Sequence, residues 1–471
     1  MAKEYDLVLL GGGTGGYVTA ARAARFGLKT AIVEKEKLGG TCLHKGCIPT
    51  KALLKSAEVF QQVKNAKQFG VEVKETQFHL NQAIERKNQI INTLHNGVKS
   101  LVQSAEIDVY QGYGRILGPS IFSPMAGSIS VEYQDGREND ILVPKNVIIA
   151  TGSAPNTLPG LEIDGEKVIT SDHALTLNEL PTSIMIVGAG VIGVEWASFF
   201  QDVGVEVTLI EAEEQILPHM DQDISSEMSK LLTKRGIQVL TNTAVDPNTL
   251  RKQDQVEIET TNGKKIKTDL MLVAVGRKAN TQNIGLENTD IRTSSNGFIE
   301  VNKYFQTKES HIYAIGDVNG GKQLAHAATY EGNIAVEHIS GNYPSLLKET
   351  AIPSCVYGKI EIATIGLSES DAKLQGKTVK ISKTSFQAIG KAHVNGDVSG
   401  FAKIILDKNN DDVLGVHLIG KNVTELIGQA SLIQYFDGSG IETSEAVYPH
   451  PSLSEIIGEV ALAAEGRKIH G

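Results

Sequence analysis

The chain has few cysteines, no apolar run long enough to span a membrane and no excess of positive charge. Three cysteines in 471 residues fit a reducing cytosol better than a secreted protein held together by disulfides. The longest apolar runs have the length of strands, well short of the roughly 20 residues that a membrane-spanning helix needs. The net charge of -10 argues against nucleic acid or an anionic membrane as the partner. A strand-like segment begins almost at the first residue and leaves no room for a targeting peptide, so we expect a soluble, cytoplasmic protein.

Two of the three cysteines lie close together near the N-terminus. Cys42 and Cys47 are separated by four intervening residues in TCLHKGCIPTK, a longer spacing than the C-x-x-C of thioredoxin-type proteins. No Cys/His cluster nearby completes a zinc site, so no metal is expected. A disulfide across so short a loop would constrain the unfolded chain little, which favours a chemical purpose over a structural one. The pair is therefore interpreted as a redox dithiol, and Cys355, which has no cysteine neighbour, as a buried structural thiol.

The strongest organisational signal is an internal repeat. A strand, a glycine-rich turn, a helix and a strand that ends in glutamate occupy residues 8–34 and again residues 185–211, and the two units align without a gap. In each G-x-G-x-x-G motif the first glycine permits a tight turn, the second lets backbone amides approach a pyrophosphate and the third lets the helix pack on the strand. Each unit is therefore predicted to bind a dinucleotide at its helix N-terminus. The residues concerned are Gly11, Gly13, Gly16 and Glu34 in the first unit and Gly188, Gly190, Gly193 and Glu211 in the second.

The glutamates that close the two repeats predict which nucleotides bind. Glu34 and Glu211 would accept hydrogen bonds from the hydroxyls of an adenosine ribose. A carboxylate at this place repels a 2′-phosphate, so Glu211 favours NAD over NADP at the second unit.

The rest of the chain completes an α/β pattern. Helical spacing of apolar residues runs from about 50 to 105, and strands are predicted at 128–134, 141–149 and 312–317. After residue 348 the pattern becomes alternating and antiparallel in character and is followed by helices. The predicted fold class is α/β, with two Rossmann-like dinucleotide-binding domains and a separate C-terminal α+β domain.

With these motifs, the chain resembles the pyridine nucleotide-disulfide oxidoreductases over essentially its full length. The resemblance implies FAD in the first unit, NAD in the second and a homodimer built through the C-terminal domain. The expected domains are 1–150 for FAD binding, 151–276 for NAD binding, 277–347 for a central domain that completes the FAD site, and 348–471 for dimerisation. The most specific motifs are Gly39-Gly40-Thr41-Cys42, Gly46-Cys47-Ile48-Pro49-Thr50-Lys51, Ala150-Thr151-Gly152, Gly276-Arg277, Ala314-Ile315-Gly316-Asp317-Val318 and His450-Pro451-Ser452-Leu453-Ser454-Glu455.

The resemblance is greatest to the members that oxidise protein-bound dihydrolipoamide and reduce NAD as the E3 components of 2-oxo acid dehydrogenase complexes. It implies that Cys47 is the thiolate next to the flavin and that Cys42 is the more accessible thiol, which exchanges with the substrate. Pro49 suits the first turn of a helix, so Cys47 is expected near a helix N-terminus, where the dipole lowers a thiol pKa. The expected partner is a lipoyl-bearing acyltransferase (E2); a branched-chain complex is one of several candidates.

The resemblance also assigns the base of the reaction. A thiol attacks a disulfide only as the thiolate, so oxidation of a neutral dithiol needs a group that takes its proton. His450 is expected to be this base, with Glu455 fixing its tautomer, in the active site of the partner subunit.

Further residues are expected to contact the cofactors. By the resemblance, Lys51 lies beside the flavin, Asp317 binds the ribityl chain, Ala325 contributes a backbone contact, Gly114 touches the adenosine end, and Glu195 lies near the flavin and the nicotinamide. The remaining expected contacts are Gly40, Thr41, Thr151, Gly152, Ser153 and Gly276.

Other functions stay open on the sequence. Glu211 opposes the NADPH-dependent glutathione reductases, the lack of any cysteine after Cys355 opposes mercuric reductase, and the cysteine pair opposes the soluble transhydrogenase. A non-catalytic FAD-binding scaffold is a different class of alternative. It is opposed by the intact set Cys42, Cys47, His450 and Glu455.

The chain departs from the family pattern between its cysteines. His44 and Lys45 stand where Asn-Val is more usual. The added positive charge is expected either to depress the thiol pKa or to alter recognition. Tyr448 replaces a histidine that many members have, and neither departure removes a proposed catalytic residue.

Overall fold

The two glycine-rich repeats lie in different compact units of the computed structural model, which describes residues 2–119, 126–346 and 348–470. The first unit consists of Met1–Ala52, Ile84–Asn156 and Arg277–Leu347. The second consists of Leu53–Ala83, Thr157–Gly276 and Lys348–Gly471. The finer division into four domains stays a prediction.

The first unit is built on a seven-stranded sheet whose central strand is Lys3–Leu10. Alternate residues of this strand enter two different cores: Leu7 and Leu9 pack in one, Val8 and Leu10 in the other. The strand is therefore buried on both faces, as expected in a parallel sheet. In sheet order the strands are Asp108–Gln111, Thr30–Glu34, Lys3–Leu10, Asp140–Ile149, Ile129–Glu132 and Tyr113–Ile116, with Ile312–Ala314 also pairing with Asp140–Ile149, and a separate antiparallel pair joins Ser153–Pro155 to Arg277–Ala279.

The second unit contains a parallel sheet of the same kind and two antiparallel sheets. The parallel sheet has five strands with Ser183–Val187 at its centre. The predicted antiparallel C-terminal part is confirmed as a five-stranded sheet covered by helices. In sheet order the strands are Gln238–Leu240, Glu206–Ile210, Ser183–Val187, Leu270–Val273 and Val168–Thr170; then Val245–Lys252, Val256–Thr260 and Lys265–Thr268; then Ser354–Val356, Glu361–Gly366, Val413–Gly420, Phe401–Asp407 and Val379–Ser385.

The helical prediction for residues 50–105 is confirmed, with a break between Lys64 and Leu80. The predicted strand at 312–317 ends at Ala314, because the chain then forms a 3-10 turn at Gly316–Asn319, where Asp317 lies. Within the described ranges, no helix is both long and apolar enough to cross a membrane. The α-helices are Thr14–Arg25, Gly40–His44, Cys47–Lys64, Leu80–Ser104, Ser171–Ala174, Val191–Asp202, Gln222–Lys234, Ala325–Ile339, Glu369–Leu374, Gly390–Val394, Val423–Tyr435, Gly440–Glu445 and Glu455–Ala464.

Candidate active site

The first and third glycines of each repeat are required by the packing of the protein itself. Gly11 and Gly188 have φ values of 105° and 97°, in the region that favours glycine. A Cβ atom on Gly16 or Gly193 would lie only 2.0 or 1.9 Å from the carbonyl oxygen of Gly11 or Gly188. The predicted tight turn and close helix-to-strand packing are therefore confirmed in both repeats.

The middle glycines are not required by packing. Gly190 has an ordinary φ of -71°, and a Cβ atom there would meet no protein atom within 4 Å. Gly13 has a φ of -66°, and its nearest neighbour would be 3.8 Å from the Cβ. Each of these glycines directly precedes a helix that has no side-chain cap, Thr14–Arg25 or Val191–Asp202. Each loop thus leaves space beside backbone N–H groups, an arrangement that fits a pyrophosphate.

The glutamate at the end of each repeat turns back to its glycine loop. Oε2 of Glu34 accepts a hydrogen bond from the N–H of Gly12 at 2.7 Å, and Oε2 of Glu211 accepts one from the N–H of Ala189 at 2.7 Å. The other oxygen of each carboxylate accepts the N–H two residues further along the chain, at 2.7 and 3.0 Å. Both carboxylates are buried and keep further acceptor capacity for ribose hydroxyls.

The two N-terminal cysteines lie on consecutive helical segments. Cys42 is in the turn Gly40–His44, and Cys47 is the first residue of the helix Cys47–Lys64, so the predicted helix N-terminus is confirmed. Both side chains are thiols, and Cys42 is hydrogen-bonded to Cys47. The reduced pair therefore remains in contact, as closure of a disulfide between them requires.

The two thiols differ in exposure, and the expected exchange of Cys42 with the substrate stays a prediction. Cys47 is exposed and Cys42 is half-buried, and Cys42 is hydrogen-bonded to the side chain of Thr14, on the first helix. The hydrogen bond with Cys47, followed by burial, raises the pKa of Cys42, and the opposing effects of Thr14 and Lys51 do not offset it. Cys42 therefore keeps its proton at neutral pH. Nothing in the sequence marks Thr14 as a neighbour of Cys42 except its position directly after Gly13.

A polar cluster in the first unit surrounds Asp317. The hydroxyl of Ser153 donates a hydrogen bond to Oδ2 of Asp317. Arg277 donates from Nε to the Ser153 hydroxyl at 2.7 Å and from Nη2 to the Ser153 carbonyl at 2.8 Å. Nε of Arg277 also lies 3.7 Å from Oδ2 of Asp317. Arg277 is a candidate site residue absent from the predicted set, although its motif Gly276-Arg277 already supported the resemblance.

Other expected contacts of the first cofactor are brought near this cluster or near the cysteines. Thr151 and Asn280 exchange two hydrogen bonds, at 2.8 and 2.9 Å. A Cβ atom on Gly40 would lie 2.6 Å from the Cα of Gly13, so the cysteine segment, which continues with Thr41, lies directly against the first glycine loop. This approach places the thiol pair beside the expected pyrophosphate site.

The remaining expected contacts are less closely tied to the site. Gly152 and Gly276 have φ values of 69° and 94°, a backbone conformation that favours glycine, so the local turns alone explain these two residues. Ala325 begins the uncapped helix Ala325–Ile339, so its N–H is available to a ligand. A Cβ atom on Gly114 would lie 2.6 Å from the side chain of Leu10, so packing alone explains that glycine.

Glu195 is a buried acid of the second unit. Its side chain lies on the helix Val191–Asp202, whose N-terminus forms the second glycine loop, and it is 3% exposed. Its Oε1 accepts a hydrogen bond from the N–H of Tyr357 at 3.1 Å. Its role near the nicotinamide stays a prediction.

His450 and Glu455 form a hydrogen-bonded pair in the C-terminal part of the chain. Nδ1 of His450 lies 2.8 Å from Oε1 of Glu455, and the N–H of Ser452 donates to Oε2 at 2.8 Å. Burial alone would raise the pKa of Glu455, but the Ser452 N–H and the His450 ring hold it below its usual range. The ionised carboxylate therefore keeps a hydrogen on Nδ1 of the exposed His450 ring, which leaves Nε2 to accept a proton.

Comparison with known proteins gives two family matches. Residues 5–332 match the family described as pyridine nucleotide-disulphide oxidoreductase, and residues 352–461 match its dimerisation domain. Among curated relatives, the chain is 56% identical over 474 residues to dihydrolipoyl dehydrogenase of Bacillus subtilis, with all of both chains covered. It is 40% identical over 476 residues to dihydrolipoyl dehydrogenase of Zymomonas mobilis, again with all of both chains covered.

Solved structures share the fold. The HOCl-induced flavoprotein disulfide reductase RclA of Escherichia coli, solved as a Cu(II) complex, aligns with a TM-score of 0.86 at 27% identity and covers 98% of this chain and 100% of its own. LpdA of Mycobacterium tuberculosis aligns with a TM-score of 0.90 at 24% identity, over 98% of this chain and 99% of its own.

Proposed function

The chain belongs to the pyridine nucleotide-disulphide oxidoreductase family, and we propose on that basis that it is a dihydrolipoyl dehydrogenase. It oxidises dihydrolipoamide to lipoamide and reduces NAD to NADH, with FAD as the resident cofactor. The observation that carries the proposal is the hydrogen-bonded pair Cys42 and Cys47, which lies against the first glycine loop.

The residues present fit both cofactors. In the first unit the open space at Gly13, the carboxylate of Glu34 and the cluster around Asp317 suit the diphosphate, ribose and polyol of FAD. In the second unit Gly190 and Glu211 offer the same two features to NAD. FAD, when bound, supplies the two-electron chemistry that links the enzyme thiols to NAD.

The thiol pair performs the exchange with the substrate. In the oxidised enzyme, a dihydrolipoyl thiolate attacks Sγ of Cys42 and breaks its bond to Cys47, which leaves as a thiolate. The second dihydrolipoyl thiolate then attacks the substrate sulfur of this mixed disulfide and releases Cys42. The substrate leaves as the cyclic disulfide, and the two electrons stay on Cys42 and Cys47.

The hydrogen-bonded pair of His450 and Glu455 supplies the base. We assign Nε2 of His450 to take the proton of the substrate thiol, while Glu455 holds the ring through Nδ1. The match of residues 352–461 to a dimerisation domain supports a homodimer. In that homodimer we place His450 and Glu455 opposite the cysteines of the other subunit, as the resemblance implies.

The choice of nicotinamide cofactor gives a first prediction. We expect kcat/KM for NAD to exceed that for NADP by about 100-fold or more, because the carboxylate of Glu211 repels a 2′-phosphate. Steady-state kinetics with both cofactors measures the ratio. Glu211→Gln should reduce this ratio, chiefly by raising kcat/KM for NADP. Equal kcat/KM values for both cofactors in the natural chain would refute the role given to Glu211.

The middle glycine of the second loop gives another prediction. Gly190→Ala should leave the thermal unfolding midpoint unchanged, because its Cβ meets no protein atom, yet raise KM for NAD about tenfold or more by overpacking the bound diphosphate. Gly193→Ala is the matched control and should lower the unfolding midpoint, because its Cβ would lie 1.9 Å from a carbonyl oxygen. An unchanged KM in Gly190→Ala would show that the diphosphate lies elsewhere.

The physiological partner follows from the substrate. We propose that the chain serves as E3 in the cytoplasm and accepts electrons from the lipoyl group of an E2 acyltransferase. Co-purification of the tagged chain with one lipoyl-bearing acyltransferase would tell a branched-chain complex from the pyruvate, 2-oxoglutarate and glycine-cleavage systems. Failure of lipoylated E2 to be oxidised by the purified chain would reject this partner.

A further inference from the structure

The carbonyl oxygen of Leu38 lies within hydrogen-bond distance of two histidine rings. Nε2 of His44 is 2.9 Å from this oxygen, and Nδ1 of His95 is 3.0 Å from it. The rings meet edge to face, with centroids 5.1 Å apart. A carbonyl oxygen only accepts hydrogen bonds, so Nε2 of His44 and Nδ1 of His95 both carry hydrogens. We call these three groups the histidine clamp.

The peptide group whose carbonyl belongs to the histidine clamp also forms a hydrogen bond through its N–H. The carbonyl of Leu38 and the N–H of Gly39 belong to the same peptide bond, and that N–H donates to the carbonyl of Gly12 at 2.8 Å. Gly12 is part of the first glycine loop, while His95 lies on the 25-residue helix Leu80–Ser104. The peptide is therefore fixed between the glycine loop and a long helix.

The turn that carries Cys42 is tied to this peptide at both ends. The turn Gly40–His44 begins directly after Gly39, and its last residue supplies one ring of the clamp. A further backbone bond, from the N–H of Lys45 to the carbonyl of Thr41 at 2.8 Å, closes the turn. None of these bonds depends on a disulfide between the cysteines.

His44 does not act by adding charge. Burial is the largest effect on His44 and lowers its pKa, so the ring is neutral at neutral pH. The charge of His44 therefore does not depress the pKa of the thiols, because a neutral ring carries none. Lys45 pairs with Glu36 at 2.7 Å, but both side chains are largely exposed, and such pairs contribute little.

We propose that His44 and His95 are positioning residues for the redox pair: through the Leu38 carbonyl they hold the Cys42 turn in place when the disulfide is open. This inference rests on the proposed function, because it treats Cys42 and Cys47 as a redox couple. A dithiol that stays in contact after reduction closes again without a conformational search, so the clamp favours the disulfide and makes the reduction potential of the pair more negative.

The test compares variants that remove or keep the donor atoms. His44→Leu and His95→Leu remove a hydrogen-bond donor to the Leu38 carbonyl. His44→Gln and His95→Asn keep one, because the side-chain amide nitrogens reach the places of Nε2 and Nδ1 respectively. Lys45→Met is the control for a change at the other unusual residue between the cysteines.

The measurement is the thiol–disulfide equilibrium of each purified flavoprotein. The protein disulfide and reduced dithiothreitol give the protein dithiol and oxidised dithiothreitol, and alkylation followed by mass spectrometry counts the thiols at Cys42 and Cys47. In His44→Leu we expect the equilibrium constant for forming the protein disulfide to fall about tenfold, which raises the potential of this two-electron couple by about 30 mV. His95→Leu should shift it in the same direction, while His44→Gln, His95→Asn and Lys45→Met should stay within about twofold of the natural chain.

The possible outcomes test the clamp proposal and the proposed function separately. Equal potentials in the natural chain and in both leucine variants would overturn the clamp and leave the proposed function intact. Equal shifts in the leucine variants and in their donor-keeping counterparts, or in Lys45→Met, would overturn it as well, since the effect would then not follow the donor. If the natural chain itself showed no thiol–disulfide equilibrium at Cys42 and Cys47, the proposed function would fail first.

Discussion

Cys42→Ser should lower dihydrolipoamide turnover with NAD by at least about 10⁴-fold, the scale expected when an essential nucleophilic or exchanging group is lost. Serine cannot form the enzyme disulfide that accepts the electrons, so the exchange has no first step. The fold and the FAD site should persist, because Cys42 is half-buried in a turn closed by a backbone hydrogen bond and a serine occupies a similar volume. Turnover is measured with purified flavoprotein of known FAD content.

The spectrum of the same variant distinguishes the two cysteines. With Cys47 left at a helix N-terminus and no disulfide partner, Cys42→Ser should keep a long-wavelength thiolate-to-flavin absorbance. Cys47→Ser should lose both this absorbance and turnover. Cys355→Ser is the matched control and should retain turnover, because Cys355 packs against the core of the C-terminal sheet. Wild-type turnover in Cys42→Ser would reject the role of the pair.

His450→Gln should lower turnover by about 10²–10⁴-fold at neutral pH, the usual contribution of a positioned general base. The loss should shrink as the pH rises, because the substrate thiol then ionises without a base. Glu455→Gln should cause a smaller loss. The pKa of Glu455 lies below its usual range, so the carboxylate is ionised throughout the neutral range, and the neutral amide would hold Nδ1 of His450 less firmly.

The chain offers a close control for this prediction. His470 forms a similar pair with Glu459, with Nδ1 3.0 Å from Oε1, and its side chain is also exposed. His470→Gln should therefore leave turnover and its pH profile unchanged. A loss in His450→Gln that stays constant with pH, or one that His470→Gln reproduces, would contradict the assignment of His450 as the base.

The repeat in the sequence predicted most of the architecture because it reflects backbone requirements. A strand, three glycines at fixed spacing, a helix and a closing acid each follow from local conformation and packing, so Gly11 and Gly188 recur with similar φ values and equivalent neighbours. The antiparallel C-terminal sheet followed from alternation along its strands in the same way.

Contacts between distant side chains could not be read from the sequence. Arg277 lies 124 residues from Ser153, to which it donates, and His95 lies 57 residues from Leu38. The hydrogen bond between Thr14 and Cys42 likewise joins two segments that are separate in the sequence. These contacts depend on the tertiary fold, and local patterns of charge or hydrophobicity do not predict them.

The most direct test counts the thiols of the purified flavoprotein before and after one equivalent of dihydrolipoamide, without NAD and without oxygen. We predict that Cys42 and Cys47 resist alkylation before the addition and both become alkylated after it, while the labelling of Cys355 does not change. The account would be contradicted if both cysteines were alkylated to the same extent before and after the addition, or if the chain were colourless and could not take up FAD.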